Sequence, residues 1–478
     1  VGLSAAMLAR ALERCARRRA REAISRASRV SRASTRASRR RGDAATRHRV
    51  RAHAAETSQR GRAPPTVENH RVGSRSVAGS RSASRSFDDD VSSSGSFDEG
   101  ARVVKARPLR LLTSYVDVVE ALCRELGTTS KGDSVEFSVY VFERGKSSDK
   151  VVAAMKRAVK RGVRVKCSVD GSVVSKFTRW CEGTTTLTAE LEALQEELGA
   201  EHFSFTPVSQ ATHAKFMIVE RKHGTGLPSV IFGGVNVGDR FTNWRDFAIR
   251  ADGRAAVDAM RYALGSFERT ITSNDTADIV FASNLPTGWS PIAWTFPRYM
   301  TFPGRFEVKQ AMEQLLRDTR YSKYSVAMAY IDSMGADMLA EMLRRRDASL
   351  TLIVPRTPNV YHDANRKALK RLVDVNASRR SGDSNNLKIF LIDDMLHAKV
   401  LYAESEDESV ADFGMLGSCN LKQRSLGQFV ELNASIRQPA LTMALRRQLV
   451  QLVEESLPLT EDDLVFSEPK ATIEEWLG

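Results

Sequence analysis

Apolar residues along this chain follow a helical spacing in some stretches and form short strand-like runs in others, and the two alternate in the same order twice. In the first helical stretch, Tyr115, Val119, Leu122 and Leu126 fall on one face, and Gly127 ends the run. The predicted elements are helices at 114–126, 148–161, 306–317 and 335–346, and strands at 135–142, 163–169, 324–331 and 349–354. Strands that alternate with helices predict an α/β layered fold in each half.

A short polar pattern also occurs twice. The first copy reads THAKFMIVE and then GGVNVGDRF, and the second reads LHAKVLYAE and then GSCNLKQRS. One offset of 184 residues separates each polar member from its partner: His213 and His397, Lys215 and Lys399, Glu220 and Glu404, Asn236 and Asn420, Arg240 and Arg424. One such histidine alone would usually be a core or surface residue. Two copies with every polar position retained indicate a duplicated domain that keeps the same chemical groups.

The spacing around each histidine predicts a catalytic site. The apolar run after the histidine is typical of a strand, on which residues i and i+2 share a face, so the histidine and the lysine of each copy point the same way. A second apolar run ends in small residues that would let the backbone approach a ligand, and the asparagine follows. Histidine as nucleophile or proton carrier, lysine as charge and asparagine as a directed N–H donor make an oxyanion site that needs no metal.

One acid completes each set. Asp246 lies 10 residues after Asn236, and Glu431 lies 11 residues after Asn420. A carboxylate that accepts from the far ring nitrogen of a histidine fixes its tautomer and its direction. We therefore interpret Asp246 and Glu431 as the orienting acids of the two histidines.

The doubled HxK and G-x-x-N or G-S-x-N elements resemble the phospholipase D superfamily over roughly residues 108 to 456. Within it, the likeness is closest to bacterial-type cardiolipin synthases, in the segments KRGVRVKCSVDGS, NWRDF and GSCNLKQRSLGQFVELN. The resemblance implies two tandem α/β/α layered domains related by a pseudo-twofold axis. It also implies one shared site of eight residues: His213, Lys215, Asn236, Asp246, His397, Lys399, Asn420 and Glu431. A phosphohistidine intermediate is expected, with His213 favoured as the nucleophile, and no cofactor or metal.

The sequence departs from the family pattern at two kinds of position. Glu220 and Glu404 stand where the family has Asp, seven residues after the histidine. An odd offset predicts the opposite strand face, so we expect these strand-end glutamates to be structural acids outside the site, unless a bulge intervenes. Gly234 replaces a family serine, which removes one possible hydroxyl donor to the phosphate.

Charge and composition divide the chain. The net charge is +14, but residues 1–100 hold 22 Arg, no Lys and 10 acids and account for +12 of it, which leaves +2 for the remainder. The first stretch is rich in Arg, Ser and Ala and typical of an organelle transit peptide; a disordered basic tail that binds an anionic membrane or RNA is the alternative. The five cysteines show neither metal spacing nor a disulfide framework, and no run of 18 apolar residues indicates a membrane span.

The predicted layout has five parts: a disordered tail with a transit peptide at 1–107, a first phospholipase-D-like domain at 108–275, a linker at 276–304, a second such domain at 305–457 and a C-terminal tail at 458–478. An insert at 172–210 carries a helix, and a closing helix covers about 439–456. The linker combines four prolines with aromatic residues that include Trp289 and Trp294. These aromatics either rim the site and meet lipid or tie the two halves together.

The sequence thus predicts a phosphatidyltransferase that makes cardiolipin or a related phospholipid, peripheral to a membrane of a mitochondrion or plastid. A hydrolytic phospholipase D is the second interpretation, because water and a glycerol hydroxyl differ only in what the acceptor pocket admits. A nuclease is disfavoured by the near-neutral folded part, so no nucleic-acid partner is expected. A catalytically inactive lipid-binding scaffold is the alternative from outside the enzymes.

Overall fold

Each half of the chain builds one β-sheet, and the two sheets share a strand order. The computed structural model describes residues 109–172, 186–222, 226–265, 278–288, 290, 292, 300–378 and 386–477. All of them belong to one unit, Asp98–Gly478. The predicted N-terminal tail lies outside the described residues, as do Trp289 and Trp294 of the predicted linker.

The first half alternates strands and helices as its sequence predicts. Its strands are β1 (Leu109–Leu112), β2 (Ser134–Val139), β3 (Arg164–Asp170), β4 (Phe203–Val208), β5 (Phe216–Glu220), β6 (Ser229–Gly233) and β7 (Ala248–Asp252). Its helices are α1 (Tyr115–Gly127), α2 (Lys146–Lys160), α3 (Thr188–Leu198) and α4 (Arg254–Ala263), with a 3-10 helix at Asp239–Phe241. Helix α1 starts at Ser114, whose side chain accepts from the backbone N–H of Asp117.

The second half repeats this order with additions at both ends. Its strands are β8 (Ile279–Pro286), β9 (Gly304–Phe306), β10 (Lys323–Met328), β11 (Ser349–Pro355), β12 (Leu387–Ile392), β13 (Lys399–Glu404), β14 (Phe413–Gly417), β15 (Glu431–Ile436) and β16 (Leu457–Pro458). Its helices are α5 (Glu307–Arg317), α6 (Ser333–Leu343), α7 (His362–Ala377), α8 (Gln423–Gly427), α9 (Pro439–Glu454) and α10 (Glu468–Leu477), with a 3-10 helix at Glu461–Leu464.

The strand orders show the duplication directly. The first sheet runs β1-β7-β6-β5-β2-β3-β4, and the second contains β8-β15-β14-β13-β10-β11-β12, flanked by β9 and β16. In both sheets the strand that follows the histidine, β5 or β13, pairs antiparallel with its two neighbours. The predicted duplication of an α/β domain is confirmed.

The three largest apolar cores of the described residues hold the layers together. One lies between the first sheet and helices α1 and α2, and a second lies between the second sheet and helices α5, α6 and α7. The third joins the halves, because it contains Phe216 and Ile218 of β5, Val400 and Tyr402 of β13, and apolar residues of α4 and α9. The two sheets therefore bury their facing surfaces against each other, and residues at matching strand ends approach across this shared core.

The structure differs from the predicted layout at two places. Strand β8 lies inside the range predicted as a linker, where its residues Ile279–Asn284 pair with β15, and β9 begins at the last residue of that range. The predicted C-terminal tail contains the second residue of β16, the 3-10 helix and α10. The last turn of α10 packs on the second half, where Glu475 accepts from the backbone N–H of Ser333 at 3.0 Å and the backbone carbonyl of Trp476 accepts from Nε of Arg424 at 3.0 Å.

Candidate active site

Each histidine is held by the backbone of the opposite half. The N–H groups of His213 and Ala214 donate to the carbonyl of Val430, at 2.8 and 3.0 Å. The N–H groups of His397 and Ala398 donate to the carbonyl of Arg245, at 2.8 and 3.1 Å. The two contacts match one another, as expected for halves related by an approximate twofold axis.

Each histidine also contacts the acid of the opposite half. Nδ1 of His213 lies 3.0 Å from Oε2 of Glu431, and Nδ1 of His397 lies 2.6 Å from Oδ2 of Asp246. The sequence predicted that these acids orient histidines but not which acid serves which histidine. Because an ionised carboxylate only accepts hydrogen bonds, Nδ1 of each ring carries the proton, and Nε2 keeps its lone pair for a substrate.

Burial keeps both imidazoles neutral. It lowers the pKa of His213 to about 4, although Glu431 acts in the opposite direction. Burial, together with Lys399 and Lys215, holds the pKa of His397 well below its ordinary value. A neutral imidazole with a carboxylate on Nδ1 is the form that a histidine nucleophile needs.

The carboxylates respond differently to the same burial. Burial raises the pKa of Asp246 to about 6 against the influence of Lys399. Burial acts in the same direction on Glu431, but His213 and Lys215 outweigh it and hold its pKa below the ordinary value. Both acids are therefore ionised at neutral pH, and Asp246 is the first to protonate as the pH falls.

The two lysines lie beside the histidines at the starts of the strands: Lys215 immediately precedes β5 and Lys399 begins β13, so neither histidine lies within the strand that the sequence predicted around it. Nζ of Lys215 donates to the carbonyl of His213 at 2.6 Å, and Nζ of Lys399 donates to the carbonyl of His397. Burial and mutual repulsion lower the pKa of Lys215 to about 7, and burial lowers that of Lys399 to about 8. Two desolvated ammonium groups favour an anion in the site, because a bound phosphate would restore their charged form.

The two asparagines have different surroundings. Oδ1 of Asn236 accepts from the backbone N–H of Val141 at 3.0 Å, which fixes that amide. Asn420 is fully buried, and among the described residues neither its Nδ2 nor its Oδ1 has a hydrogen-bond partner. A buried amide in this state carries a desolvation cost that a ligand oxygen at Nδ2 would remove.

The small residues at the strand ends let neighbouring parts of the protein come close. A Cβ at Gly234 would lie 2.8 Å from Oδ2 and 2.9 Å from Cγ of Asp246, and Cβ atoms at Gly233 and Gly417 would collide with the neighbouring strand. Packing therefore requires glycine at these positions, and the backbone approach to a ligand stays a prediction. Ser418, the counterpart of Gly234, donates to Oε2 of Glu431 at 2.5 Å. The acid therefore engages the proton of this hydroxyl.

The strand-end glutamates lie outside the site, as strand parity predicted. Glu220 pairs with Arg254 and, at 2.9 Å, with Arg261, both on α4. Glu404 pairs with Arg446 of α9 at 3.1 Å. The extra methylene relative to Asp therefore lengthens a surface ion pair and leaves the site unchanged.

Aromatic rings and one further lysine surround the histidines. Tyr140 lies 4.9 Å from the His213 ring, and Trp244 lies 5.0 Å from the His397 ring. Lys422 is buried and interacts electrostatically with Lys215. The sequence reasoning missed Lys422, although it lies two residues beyond Asn420, because its counterpart in the first copy is Gly238 and only repeated positions drew attention.

The described residues contain no group of three or more His, Cys, Asp or Glu side chains that could hold a metal ion. Among the helices of the described ranges, none is long and apolar enough to cross a membrane.

Comparison with known proteins agrees with this geometry. The family described as "Cardiolipin synthase, PLD-like domain" matches twice, over residues 122–262 and 312–453, which is more than half of the chain. The protein belongs to this PLD-like domain family. Each match contains one histidine, one lysine, one asparagine and one of the two acids, so each PLD-like domain carries one copy of the repeated set.

Individual relatives are distant. Cardiolipin synthase A of Proteus mirabilis (strain HI4320) is 21% identical over 397 residues, which cover 79% of this chain and 73% of that protein. The crystal structure of phosphatidylserine synthase from Haemophilus influenzae Rd KW20 matches with a TM-score of 0.57 at 12% identity, over 78% of this chain and 93% of that one. The fold is therefore shared, and the family supports a phosphodiesterase-type enzyme of the phospholipase D superfamily.

Proposed function

We propose that this protein is a phosphatidyltransferase that makes cardiolipin or a related phospholipid through a phosphohistidine intermediate. One observation carries the proposal: two neutral histidines, each oriented by a carboxylate of the opposite half, lie in one buried site with two lysines. Neither half holds a working histidine by itself, because its orienting acid comes from the other half. Such a site can both attack a phosphodiester and handle the proton of the alcohol.

The first step forms one bond and breaks one. His397 takes a proton from water at Nε2 as the substrate binds. Nε2 of His213 then attacks phosphorus, the bond between phosphorus and the head-group oxygen breaks, and His397 gives its Nε2 proton to the departing alkoxide. The phosphodiester anion raises the pKa of His397 as it binds, because a nearby negative charge favours the imidazolium. The approximate symmetry makes the two rings equivalent, so the geometry does not distinguish the nucleophile. The choice of His213 follows from the family resemblance.

The second step reverses these roles. An acceptor hydroxyl gives its proton to His397, its oxygen attacks phosphorus, and the bond to Nε2 of His213 breaks. Lys215, Lys399 and the Nδ2 group of Asn420 hold the non-bridging oxygens in both steps. A lipid hydroxyl as acceptor gives transfer, and water gives phosphatidic acid.

The choice of a lipid substrate has two supports. Residues 101–478 carry a net charge of only +2, whereas a nuclease that neutralises many phosphates needs a basic surface. The curated relative over most of the chain is a cardiolipin synthase. We further propose peripheral attachment to an organelle membrane, with residues 1–107 as the targeting segment.

The test is mass spectrometry of the products that the full chain forms from isotope-labelled phosphatidylglycerol, without and with a nucleotide-activated diacylglycerol lipid. Cardiolipin is the expected product, and it should be absent with His213→Ala and with His397→Ala. Glu404→Gln is the matched control and should keep activity, because Glu404 pairs with Arg446 at the surface. Phosphatidic acid as the only product would make the enzyme a hydrolytic phospholipase D, and cleavage of nucleic acid alone would overturn the lipid assignment.

A further inference from the structure

The shared site contains one cation that the duplication does not repeat. The eight predicted site residues include two lysines and two carboxylates, so their charges balance while the imidazoles are neutral. Lys422 adds a positive charge to this set, and it interacts electrostatically with Lys215, with Lys399 and with Glu431. Its counterpart, Gly238, has a φ of +159°, and a Cβ added there would lie only 2.9 Å from Cβ of Glu143, so this position has little space for a side chain. The approximate twofold symmetry of the site is therefore broken at this position.

Aromatic rings place Lys422 on the side of His397. Its Nζ lies 5.7 Å from the ring centre of Tyr330, 5.0 Å from that of Tyr361 and 5.4 Å from that of Phe429. The same Tyr330 ring lies 6.0 Å from the ring of His397. Lys422 and His397 thus both lie against the Tyr330 ring, which places the ammonium group on the side of the site that holds the proton-transferring histidine.

A second observation points to a ligand at the same place. Tyr361 is only 5% exposed, and its hydroxyl has no hydrogen-bond partner among the described residues. Its φ of 66° is in the left-handed region, the one such case outside glycine among those residues. A buried phenol held in a strained backbone conformation costs stability, and strain of this kind is retained where it positions a group for function.

We infer that Lys422 and Tyr361 form a subsite for a second phosphate, carried by the alcohol that leaves or attacks at His397. Lys215 and Lys399 hold the oxygens of the phosphate that reacts. Lys422 holds the second phosphate, which lies a few bonds from the hydroxyl of the alcohol. Burial lowers the pKa of Lys422 to about 8, which a neighbouring anion would raise again. The inference deepens the proposed transfer reaction and rests on it, because it makes the enzyme select an alcohol that bears phosphate.

A binding experiment on the full chain distinguishes the proposed phosphate subsite from the catalytic phosphate position. Calorimetry compares glycerol 1,3-bisphosphate, which can occupy both positions, with glycerol 3-phosphate, which can occupy one. The wild type should bind the bisphosphate at least tenfold more tightly, and Lys422→Met should lose that preference. Tyr361→Phe should reduce it severalfold and serves as a second variant if Lys422→Met fails to fold. Lys388→Met removes an exposed lysine of the same half and should leave the preference unchanged.

A second experiment measures the exchange of labelled head groups into lipid. The rate at which labelled glycerol 3-phosphate enters lipid from phosphatidylglycerol, divided by the rate for labelled glycerol, should fall tenfold or more in Lys422→Met. An unchanged binding preference in Lys422→Met, or an unchanged ratio of rates, would overturn the subsite. No exchange with either alcohol in the wild type, with the binding preference present and lost in Lys422→Met, would instead refute transfer and keep the anion subsite.

Discussion

The contact between Gly234 and Asp246 makes a sharp prediction about how the two halves depend on each other. A Cβ at position 234 would lie 2.8 Å from Oδ2 of Asp246 and nearer still to Oδ1, whereas ordinary contact begins at 3.4 Å. The carboxylate would have to withdraw by at least about 0.6 Å, which takes its 2.6 Å bond to His397 to the limit of hydrogen-bond length or beyond. Gly234→Ser, a change in the first half, should therefore disable the histidine of the second half.

The size of the effect follows from the role of the acid. Loss of an orienting carboxylate costs roughly 10²- to 10⁴-fold in kcat where the histidine must hold one tautomer. We expect Gly234→Ser to lower transfer by that factor and Ser418→Gly to lower it less than tenfold, because Glu431 keeps its bond to His213. In the second half, Ser418 lies beside a glutamate, Glu431, rather than an aspartate. Adding Asp246→Glu to Gly234→Ser should therefore restore part of the activity that Gly234→Ser alone removes.

Two measurements check this reasoning. Initial rates of transfer give the kinetic effect, and thermal unfolding controls for the fold. In ¹H–¹⁵N spectra, the downfield Nδ1–H signal of His397 should vanish in Gly234→Ser while that of His213 persists. Full activity of Gly234→Ser, or a double variant no better than the single one, would refute the coupling between position 234 and the acid.

Four further outcomes are expected. Asp246→Asn should lower kcat at least a hundredfold, whereas the surface acid Glu220→Gln should change it less than threefold; the reverse order would show that strand parity misassigned these acids. The profile of kcat/KM should be bell-shaped, falling below about pH 6 as Asp246 protonates and above about pH 7 as Lys215 loses its charge, and a flat profile across this range would contradict both assignments. Glu475→Ala should lower the free energy of unfolding by about 1 kcal/mol, measured by urea denaturation, because it removes the acceptor of the first N–H of α6. A fusion of residues 1–107 to a fluorescent reporter, supplied with a start codon, should enter a mitochondrion or plastid and be cleaved; an uncleaved cytosolic reporter would contradict this proposal.

The sequence was most informative where local periodicity decides the structure. Helix α1 and strand β3 follow the predicted spans within about one residue, because apolar spacing and Gly127 are local signals. The position of the strand-end glutamates Glu220 and Glu404 away from the site agrees with the two-residue period of a strand, although β5 and β13 begin only after the histidines.

Pairing between distant segments could not be predicted in the same way. Four prolines made 276–304 resemble a linker, but the segment from Ile279 to Asn284, which begins with four apolar residues, pairs with β15, about 150 residues later. The segment 458–478 is acidic and short, and its helix α10 is placed by contacts with Ser333 and Arg424. Neither contact leaves a signal in the local sequence.

The crossed histidine–acid pairs show the same limit within the site. Offsets along the chain identify Asp246 and Glu431 as equivalents, but they place each acid nearer in sequence to the histidine of its own half. The exchange is seen only in the folded chain, in the contacts of each histidine with its acid and in the reciprocal backbone contacts at Val430 and Arg245. Lys422 was missed for the related reason that duplication highlights what is repeated, whereas specificity can depend on what is not.

One measurement tests the central claim most directly, which is that the two halves build a single site with a covalent histidine intermediate. The full chain is mixed with phosphatidylglycerol labelled at phosphorus, quenched within one turnover under conditions that preserve phosphohistidine, and mapped by peptide mass spectrometry. We predict an acid-labile phosphatidyl adduct on His213, absent in His213→Ala and strongly reduced in Asp246→Asn, which misorients only the histidine of the other half. No adduct on either histidine, together with full turnover in His213→Ala or His397→Ala, would contradict the shared site.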